Sequence, residues 1–458
     1  MKKDRFGIPL DLTGTQFWRR PPVNRRVLFN HAAAAVGGYF LLPQLGWQRS
    51  AQAQTVAAAP PARNVVFIMM RGGPSQIDTF DLKEGPWTPA NLDVQTYNGL
   101  KWPRGLMPRL AAQLDDVALV RSVKAWAAVH GLAQIWMQIG RNPASGSARI
   151  APHIGSVVSY ELGSQAKDAV LPAFISLNAL SGIGNGFLPP EAAPFFAAPG
   201  GSGLTNSRHN DGAPRFDRRY GLLLDMDSQL RSAPDLGAAA YQTQSYNVAA
   251  RKMIYNDKVD AIFTFDAAER AVYGNTNFGN SCIATRNMLR ANAGARFIQI
   301  VHSEWDQHDN LWAAPPNTQS HYTLGTQFDN GLGALLADLK KDGLLNSTLV
   351  VAMGEFGRTV GNLNATKGRD HLLQMAVLMA GGGIRGGRAI GESNAAGSVT
   401  MTPGWSGDRD IRAEDVEATM YHALGIDWNK SLEDPTGRRF EYVPRGAVEH
   451  KPITELWG

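Results

Sequence analysis

Short, continuous runs of apolar residues recur along the chain, and they predict buried β-strands. These runs are rich in β-branched residues and are followed by glycine-rich or polar turns, which is typical of strands that are covered on both faces. The predicted strands are Asn64–Met70, Val117–Val123, Val170–Leu177, Arg296–His302, Thr348–Met353 and Met375–Ala380. Pro172 weakens the start of the third strand, because proline cannot donate a hydrogen bond to a neighbouring strand.

Between these runs, apolar residues occur at helical spacing. The clearest case is Thr323–Lys341, where leucines at 332, 335, 336 and 339 fall on one side of a helix. Further helices are predicted over Leu132–Ile139, Gln244–Tyr273 and Asn280–Asn292. Strands that alternate with helices predict an α/β fold, with a mostly parallel sheet sandwiched between helices.

The first 53 residues follow a different pattern, that of a secretion signal. Asn24-Arg25-Arg26 precedes a weakly apolar run of about 14 residues, which is too short to span a bilayer, and Ala51-Gln52-Ala53 offers a cleavage site. The arginine pair favours a twin-arginine signal over a Sec signal or a basic amphipathic helix. We therefore predict export to the periplasm or the medium by the twin-arginine translocase, with no stable membrane span after processing.

The mature chain is predicted to form a single domain. Residues 54–63 form an Ala/Pro linker, and residues 64–458 form one α/β domain. The segment 181–211 is rich in Gly, Pro and Ala and lacks periodicity, so we interpret it as a long surface excursion near a site.

The charge of the chain argues against nucleic-acid binding once its position is considered. The formal net charge is +5, but the leader holds eight basic and two acidic residues, which leaves 37 basic and 38 acidic residues in the remainder. The mature protein therefore has no basic excess for nucleic acid. The single cysteine, Cys282, rules out an internal disulfide and is expected to be a buried small hydrophobic residue.

Polar clusters follow or precede several predicted strands. Ligands in sheets of this kind lie beyond the carboxyl ends of the strands. The clusters are Ser75–Asp81 after the first strand, Trp305–His308, Gly354–Arg358 and Arg369–His371. Each residue alone is more often a hydrogen-bond partner in a loop, but four clusters at successive strand ends favour a common site.

Histidines and carboxylates in these clusters predict a site for a divalent metal ion. In an extended segment, Asp306 and His308 point the same way and are able to bind one ion together. A mixed nitrogen and oxygen site favours Zn or Mn and is less typical of Ca. The candidate ligands are Asp306, His308, Glu355 and His371, with Asp78 and Asp370 as further ligands or as residues that contact the ligands.

The same segments resemble the bacterial exported family known as domain of unknown function 1501. The resemblance runs through Met69–Asp81, Tyr273-Gly274, Trp305–His308, Asp342–Leu345, Gly354–Thr359 and Gly368–His371, and it includes the triple glycine at 381–383. One departure is Gln76, where the family usually has histidine, and this change removes a potential ligand.

This family in turn resembles alkaline phosphatases and sulfatases, which implies a metal-assisted attack on a phosphate or sulfate ester. Glu355-Phe356-Gly357 is similar to their Asp-His-Gly turn, and His371 to their late metal-binding histidine. His130 stands where sulfatases have the formylglycine precursor, so the resemblance leaves it as a nucleophile, a general acid or a ligand. Arg71 stands about where a metal-binding Asp is found.

These observations support two functions of different classes. The first is an exported metal-dependent hydrolase of sulfate or phosphate esters, with His130 facing the reacting atom and Arg358 and Arg369 binding the substrate anion. The alternative is a catalytically inert scaffold that acts as a periplasmic binding or assembly protein, because the standard nucleophile is missing.

Overall fold

The computed structural model describes residues 62–165, 168–179, 182–231, 237–315 and 317–458. The predicted signal peptide lies outside the described residues, as does all but the end of the predicted linker. The chain divides into a larger unit, Ala59–Arg218 with Tyr241–Gly458, and a smaller unit that includes Arg219–Ala240. In the smaller unit, the residues described after position 218 are helical. The larger unit contains the sheet and the candidate site.

Sixteen strands lie within the described residues. Their bounds are β1 Asn64–Met70, β2 Val94–Tyr97, β3 Leu100–Pro103, β4 Val117–Lys124, β5 Phe174–Leu177, β6 Phe195–Ala197, β7 Phe297–His302, β8 Thr348–Met353, β9 Gly357–Arg358, β10 His371–Leu372, β11 Gln374–Gly381, β12 Arg388–Ile390, β13 Glu392–Ser393, β14 Thr400–Thr402, β15 Ser431–Glu433 and β16 Arg439–Glu441.

Eight of these strands form the central sheet, in the order β12-β4-β11-β8-β1-β7-β5-β6. Neighbouring strands are parallel except at β11, which runs antiparallel to both β4 and β8. The first residues of β11 therefore lie at the edge where β4 and β8 end. Because β11 is reversed, its start lies at the same edge as the ends of the other seven strands.

The central strand β1 shows why the sheet is covered on both faces. Val66, Ile68 and Met70 pack into one hydrophobic core, whereas Val65, Phe67 and Met69 pack into the other. Successive side chains of a strand point to opposite faces, so a continuous apolar run contributes to two cores at once.

Ten helices lie within the described residues, and helices from both sides of the sheet contribute to its two cores. They are α1 Pro108–Ala111, α2 His130–Ile139, α3 Ile154–Leu162, α4 Ala213–Arg231, α5 Gly237–Met253, α6 Asp257–Phe263, α7 Ala267–Tyr273, α8 Asn277–Ala291, α9 His321–Lys341 and α10 Ala413–Ala423.

The structure confirms the predicted α/β fold with a mostly parallel sheet between helices. It also corrects details. The strand predicted from Val170 begins only at Phe174, after Pro172. The predicted helical stretch Gln244–Tyr273 is divided among α5, α6 and α7, because Asn256 and Asp266 cap new helices. Segment 181–211 contains the edge strand β6, whose three residues are too few to show a period.

Two further features bear on the sequence predictions. Cys282 is buried in α8, and this burial raises the pKa of its thiol well above the ordinary value, as expected of a small core residue. No helix among the described residues has both the length and the hydrophobicity needed to cross a membrane.

Candidate metal centre

Three histidines and one aspartate meet at the edge of the sheet where the parallel strands end. They are His130, Asp306, His308 and His371, and one ligand atom from each lies within 4.8 Å of all the others. Their side chains are partly exposed, at 44% for both Asp306 and His308 and 27% and 23% for His130 and His371. The cluster is therefore open to solvent on one side.

Each member is positioned by the end or the start of a central strand. His130 begins α2, in the connection that follows β4, and Asp306 and His308 lie in the turn after β7. His371 lies in β10, which precedes β11, and it reaches the same edge because β11 runs in the opposite direction.

The three imidazole rings are each held at Nδ1 by an acceptor. His130 Nδ1 lies 2.7 Å from a carboxylate oxygen of Glu355, and His308 Nδ1 lies 3.0 Å from one of Asp370. His371 Nδ1 lies 2.8 Å from the carbonyl oxygen of Ala128. Since these oxygens accept hydrogen bonds, Nδ1 is the nitrogen that carries the proton when each ring is neutral, and the Nε2 lone pair then faces the centre of the cluster.

The Nε2 atoms and Asp306 Oδ1 lie at separations that suit a common ion. Asp306 Oδ1 is 3.1 Å from His130 Nε2, 3.0 Å from His308 Nε2 and 3.5 Å from His371 Nε2. Tetrahedral bonds of about 2.05 Å to a zinc ion would place ligand atoms about 3.3 Å apart. His130 Nε2 is buried without a hydrogen-bond partner, which also favours a ligand there.

Glu355 lies behind His130 and is surrounded by hydrogen-bond donors. Its carboxylate accepts hydrogen bonds from the backbone N–H of Gly72, at 3.0 and 3.1 Å, and from the side chain of Gln134, at 2.8 Å. Gly72 has a φ of +117°, and a Cβ there would lie 2.3 Å from the backbone nitrogen of Asp306. Only glycine therefore allows this close approach between the turn after β1 and the turn after β7.

Arg358 lies beside the cluster and is buried. All of its side-chain donors have protein partners, including Asp306 Oδ1 at 2.5 Å and the carbonyl oxygen of Gly73 at 2.8 Å. Arg358 therefore contacts Asp306, a member of the cluster, from within the protein. The sequence predicted that it binds the substrate anion.

Asp78 and Arg369 form a buried ion pair outside the four-residue cluster. Arg369 Nε donates to Asp78 at 2.6 Å, and Ser75 donates its hydroxyl to the same carboxylate. Arg369 also donates to the carbonyl oxygens of Thr359 and Gly361. The sequence predicted that Asp78 binds a metal ion and that Arg369 binds the substrate anion. In the structure, Asp78 pairs with Arg369, and the donors of Arg369 point to protein groups.

The electrostatics of the cluster favour an ionised carboxylate. Burial raises the pKa of Asp306, but the hydrogen bond and charge of Arg358, together with His130 and His308, outweigh it and lower the pKa to about 2. The hydrogen bond to Glu355 raises the pKa of His130, whereas burial lowers that of His371. The pKa of Asp370 is lowered by its hydrogen bond to His308.

Sequence reasoning missed three contributors to this arrangement. Gln134 lies one helical turn after His130, so helical periodicity was a usable signal for it. The Ala128 carbonyl carries no side-chain signal. Gln76 brackets Arg358: it accepts a hydrogen bond from the Arg358 backbone N–H at 2.7 Å and donates to its carbonyl oxygen at 2.9 Å. In this chain, the side chain at position 76, where the family usually has histidine, therefore binds the backbone of Arg358.

Comparisons with known proteins agree with the resemblance found in the sequence. A family model described as protein of unknown function, DUF1501, matches residues 62–456. No curated protein matches the chain.

Among solved structures, the chain is similar to a phosphonate monoester hydrolase of Agrobacterium radiobacter, with a TM-score of 0.41, 10% identity and coverage of 86% of this chain and 77% of that one. It is also similar to the sulfatase PsFucS1 from Pseudoalteromonas sp., with a TM-score of 0.38, 13% identity and coverage of 86% and 71%. At these scores the likeness carries no argument about activity.

Proposed function

This chain belongs to the DUF1501 family of proteins of unknown function, and from the site that it builds we propose that it is an exported, metal-dependent hydrolase of sulfate or phosphate esters. One observation carries the proposal. Three Nε2 lone pairs, each fixed by an acceptor at Nδ1, converge with the ionised Asp306 on a point open to solvent. Four protein ligands would fill a tetrahedral site, so a substrate oxygen would enter as a fifth ligand from the exposed side, an expansion that catalytic zinc sites allow.

The donor set supports the choice of metal. Imidazole nitrogens suit zinc, and a single carboxylate oxygen is compatible with zinc or manganese. Calcium prefers six to eight oxygen ligands, which three histidines do not provide. We therefore propose zinc or manganese, held by His130, Asp306, His308 and His371.

In this proposal, the metal when bound supplies Lewis-acid polarisation of an ester oxygen. The residues of the chain hold the geometry. Glu355 and Asp370 orient His130 and His308 through their Nδ1 protons, and the Ala128 carbonyl does the same for His371. The anionic ester would approach from the exposed side of Asp306 and His308.

His130 is proposed as a ligand, because Glu355 holds its Nδ1 and its Nε2 lies with the Nε2 atoms of His308 and His371 and with Asp306. The sequence left it open as a nucleophile or a general acid as well. Asp370 and Glu355 are proposed to act through the histidines that they contact. Asp78, Arg358 and Arg369 are proposed to stabilise the turns around the site.

Metal content and hydrolysis test this proposal together. We expect the purified protein to contain a divalent metal, detected by inductively coupled plasma mass spectrometry, and to hydrolyse an aryl sulfate or an aryl phosphate. His308→Ala is expected to lose both properties. His209→Ala, which removes a partly exposed histidine outside the cluster, serves as the matched control and is expected to keep both.

A protein that binds no metal and turns over neither ester contradicts the hydrolase. If the same protein retains a stoichiometric partner in periplasmic extract, and the partner is also retained by His308→Ala, the inert binding protein is favoured instead.

Export by the twin-arginine translocase is part of the proposal and has its own test. Replacing Arg25 and Arg26 together by lysine is expected to keep the full-length precursor in the cytoplasm, whereas the unaltered chain appears in the periplasm or the medium in processed form. Export of the lysine variant at an unchanged rate would contradict this route.

A further inference from the structure

Arg358 is a guanidinium group fixed inside the wall of the site. Its side chain is 1% exposed, and its donors are all engaged by acceptors. Nε donates to the Gly73 carbonyl at 2.8 Å, and Nη1 donates to the Arg369 carbonyl at 3.0 Å and to His308 Nε2 at 3.3 Å. Nη2 donates to Asp306 Oδ1 at 2.5 Å, to the Gly72 carbonyl and, at 3.4 Å, to the Trp305 carbonyl. Five of these six contacts are to oxygen atoms of the protein, and the sixth, to His308 Nε2, is the one that a metal ion bound at that nitrogen would displace.

The backbone of Arg358 is held as firmly as its side chain. Gln76 bonds both its N–H and its carbonyl. At the preceding residue, Gly357, a Cβ would lie 2.4 Å from the Gln76 side-chain oxygen and 2.0 Å from the Gln374 carbonyl. The backbone at Arg358 is thus closely packed and hydrogen-bonded on both sides, which fixes the point from which the side chain extends.

Asp306 Oδ1 is shared between this guanidinium and the three histidines. It lies 2.5 Å from Arg358 Nη2 on one side and 3.0 to 3.5 Å from the three Nε2 atoms on the other. A carboxylate oxygen between two cationic positions is the arrangement found where two metal ions share a ligand, with the ions about 3.5–4 Å apart.

We propose that Arg358 is the permanent second cation of the site, so that the site takes one divalent ion and not two. This inference rests on the proposed function. The carboxylates next to the cluster, Asp306, Glu355 and Asp370, carry three negative charges, and Arg358 with one divalent ion balances them. A second divalent ion would find its oxygen ligands already occupied by the guanidinium.

The position of Arg358 is lined by oxygen atoms. They are the carbonyls of Gly72, Gly73 and Arg369 and the carboxylate of Asp306. Removing the side chain would leave a cage of oxygen acceptors, and oxygen atoms are the ligands that hard cations prefer. Arg358 acts through Asp306 and is a positioning residue, so metal stoichiometry is the proper measurement for it.

The test uses the full-length protein, saturated with Zn²⁺ or Mn²⁺ alone and freed of excess. Bound metal per chain is measured by mass spectrometry, and the equivalents that disappear in His308→Ala are those of this site. We expect one equivalent in the unaltered protein and one in Arg358→Lys, which keeps the charge. Arg358→Ala is expected to bind two, and millimolar guanidinium is expected to return it to one by filling the cage.

Arg141→Ala is the matched control, because Arg141 is also a buried arginine that donates to carbonyl oxygens, those of Glu441 and Tyr442. It is expected to bind one equivalent.

Two equivalents in the unaltered protein, both lost in His308→Ala, would overturn the inference and leave the metal-dependent hydrolase intact. No equivalent at all would overturn the hydrolase as well. A folded Arg358→Ala that still binds one equivalent also overturns the inference. If circular dichroism shows that this variant is unfolded, the stoichiometries of the unaltered protein and of Arg358→Lys decide.

Discussion

His308 and His371 face each other with their Nε2 atoms 2.9 Å apart. Both atoms carry lone pairs, because the two Nδ1 atoms donate to Asp370 and to the Ala128 carbonyl. Two lone pairs at this distance repel each other unless a proton or a metal ion lies between them. Arg358 Nη1 approaches His308 Nε2 at 3.3 Å and relieves part of this repulsion, and a metal ion bound by both nitrogens would relieve the rest.

Metal binding is accordingly expected to stabilise the fold. A ligand present at 100 times its Kd stabilises a protein by about 2.7 kcal/mol. The protein is first stripped of metal with a chelator. We then expect added Zn²⁺ to raise its Tm, measured by differential scanning fluorimetry. His371→Ala should lose this increase, whereas His209→Ala should keep it. An equal increase in all three proteins would indicate binding elsewhere.

The carboxylates behind the histidines are expected to differ in importance. Glu355 is buried, and its negative charge holds the proton on His130 Nδ1. Glu355→Gln removes this charge, and loss of such a partner typically weakens metal binding by about 10- to 100-fold. Asp370→Asn should cost less, because Asp370 is 59% exposed and water is able to replace it. Isothermal titration calorimetry compares the two, and a larger loss for Asp370→Asn would contradict this ranking.

Gly72→Ala is expected to damage both stability and the site. Its φ of +117° disfavours alanine, and the added Cβ would lie 2.3 Å from the backbone of Asp306. Strain of this kind costs about 1–3 kcal/mol, and metal affinity should fall because Asp306 is displaced. Gly99→Ala is the control, since Gly99 has a φ of +79° and open space around the new Cβ. Chemical denaturation should show a smaller loss for Gly99→Ala, with metal affinity unchanged.

Stability is also expected to depend on pH through Glu417, a buried residue of α10 far from the metal ligands in sequence. Burial raises its pKa to about 8, although Arg141 and a hydrogen bond from Tyr421 lower it in part. The proton that Glu417 retains contributes stability that is fully present below its ordinary pKa of 4.5 and is lost as the pH rises to about 8. The free energy of unfolding should therefore decrease across this window.

Glu417→Gln should reduce this decrease by about 1–4 kcal/mol, because the amide cannot lose a proton. Urea denaturation of both proteins at pH 5 and at pH 8.5 measures the difference. Identical pH profiles for the two proteins would show that Glu417 does not titrate in this range.

The sequence predicted the sheet well, because buried strands such as β1 and β8 are short, continuous and apolar on both faces. It was less informative about β6, whose three residues pair with β5 at the sheet edge and show no periodicity. The direction of β11 was also hidden, because an apolar run reads the same whether its neighbours are parallel or antiparallel.

The candidate metal cluster was predicted in part. Asp306, His308 and His371 stand out in sequence because polar residues directly flank apolar strands. Asp78 stands in an equally suggestive position, yet it pairs with Arg369, a partner 291 residues away that local sequence does not reveal. Long-range pairing of this kind depends on the packed turns and not on spacing along the chain.

The separation of the cluster residues along the chain has a further consequence. His130 and His371 come together only after β4, β7, β8 and β11 have assembled into one sheet. An unfolded chain therefore lacks the coordination site, and the proposed ion would enter only after folding. In the export route proposed above, the chain would cross the membrane already folded, so the supply of ions in the compartment where it folds, as well as affinity, would select its metal.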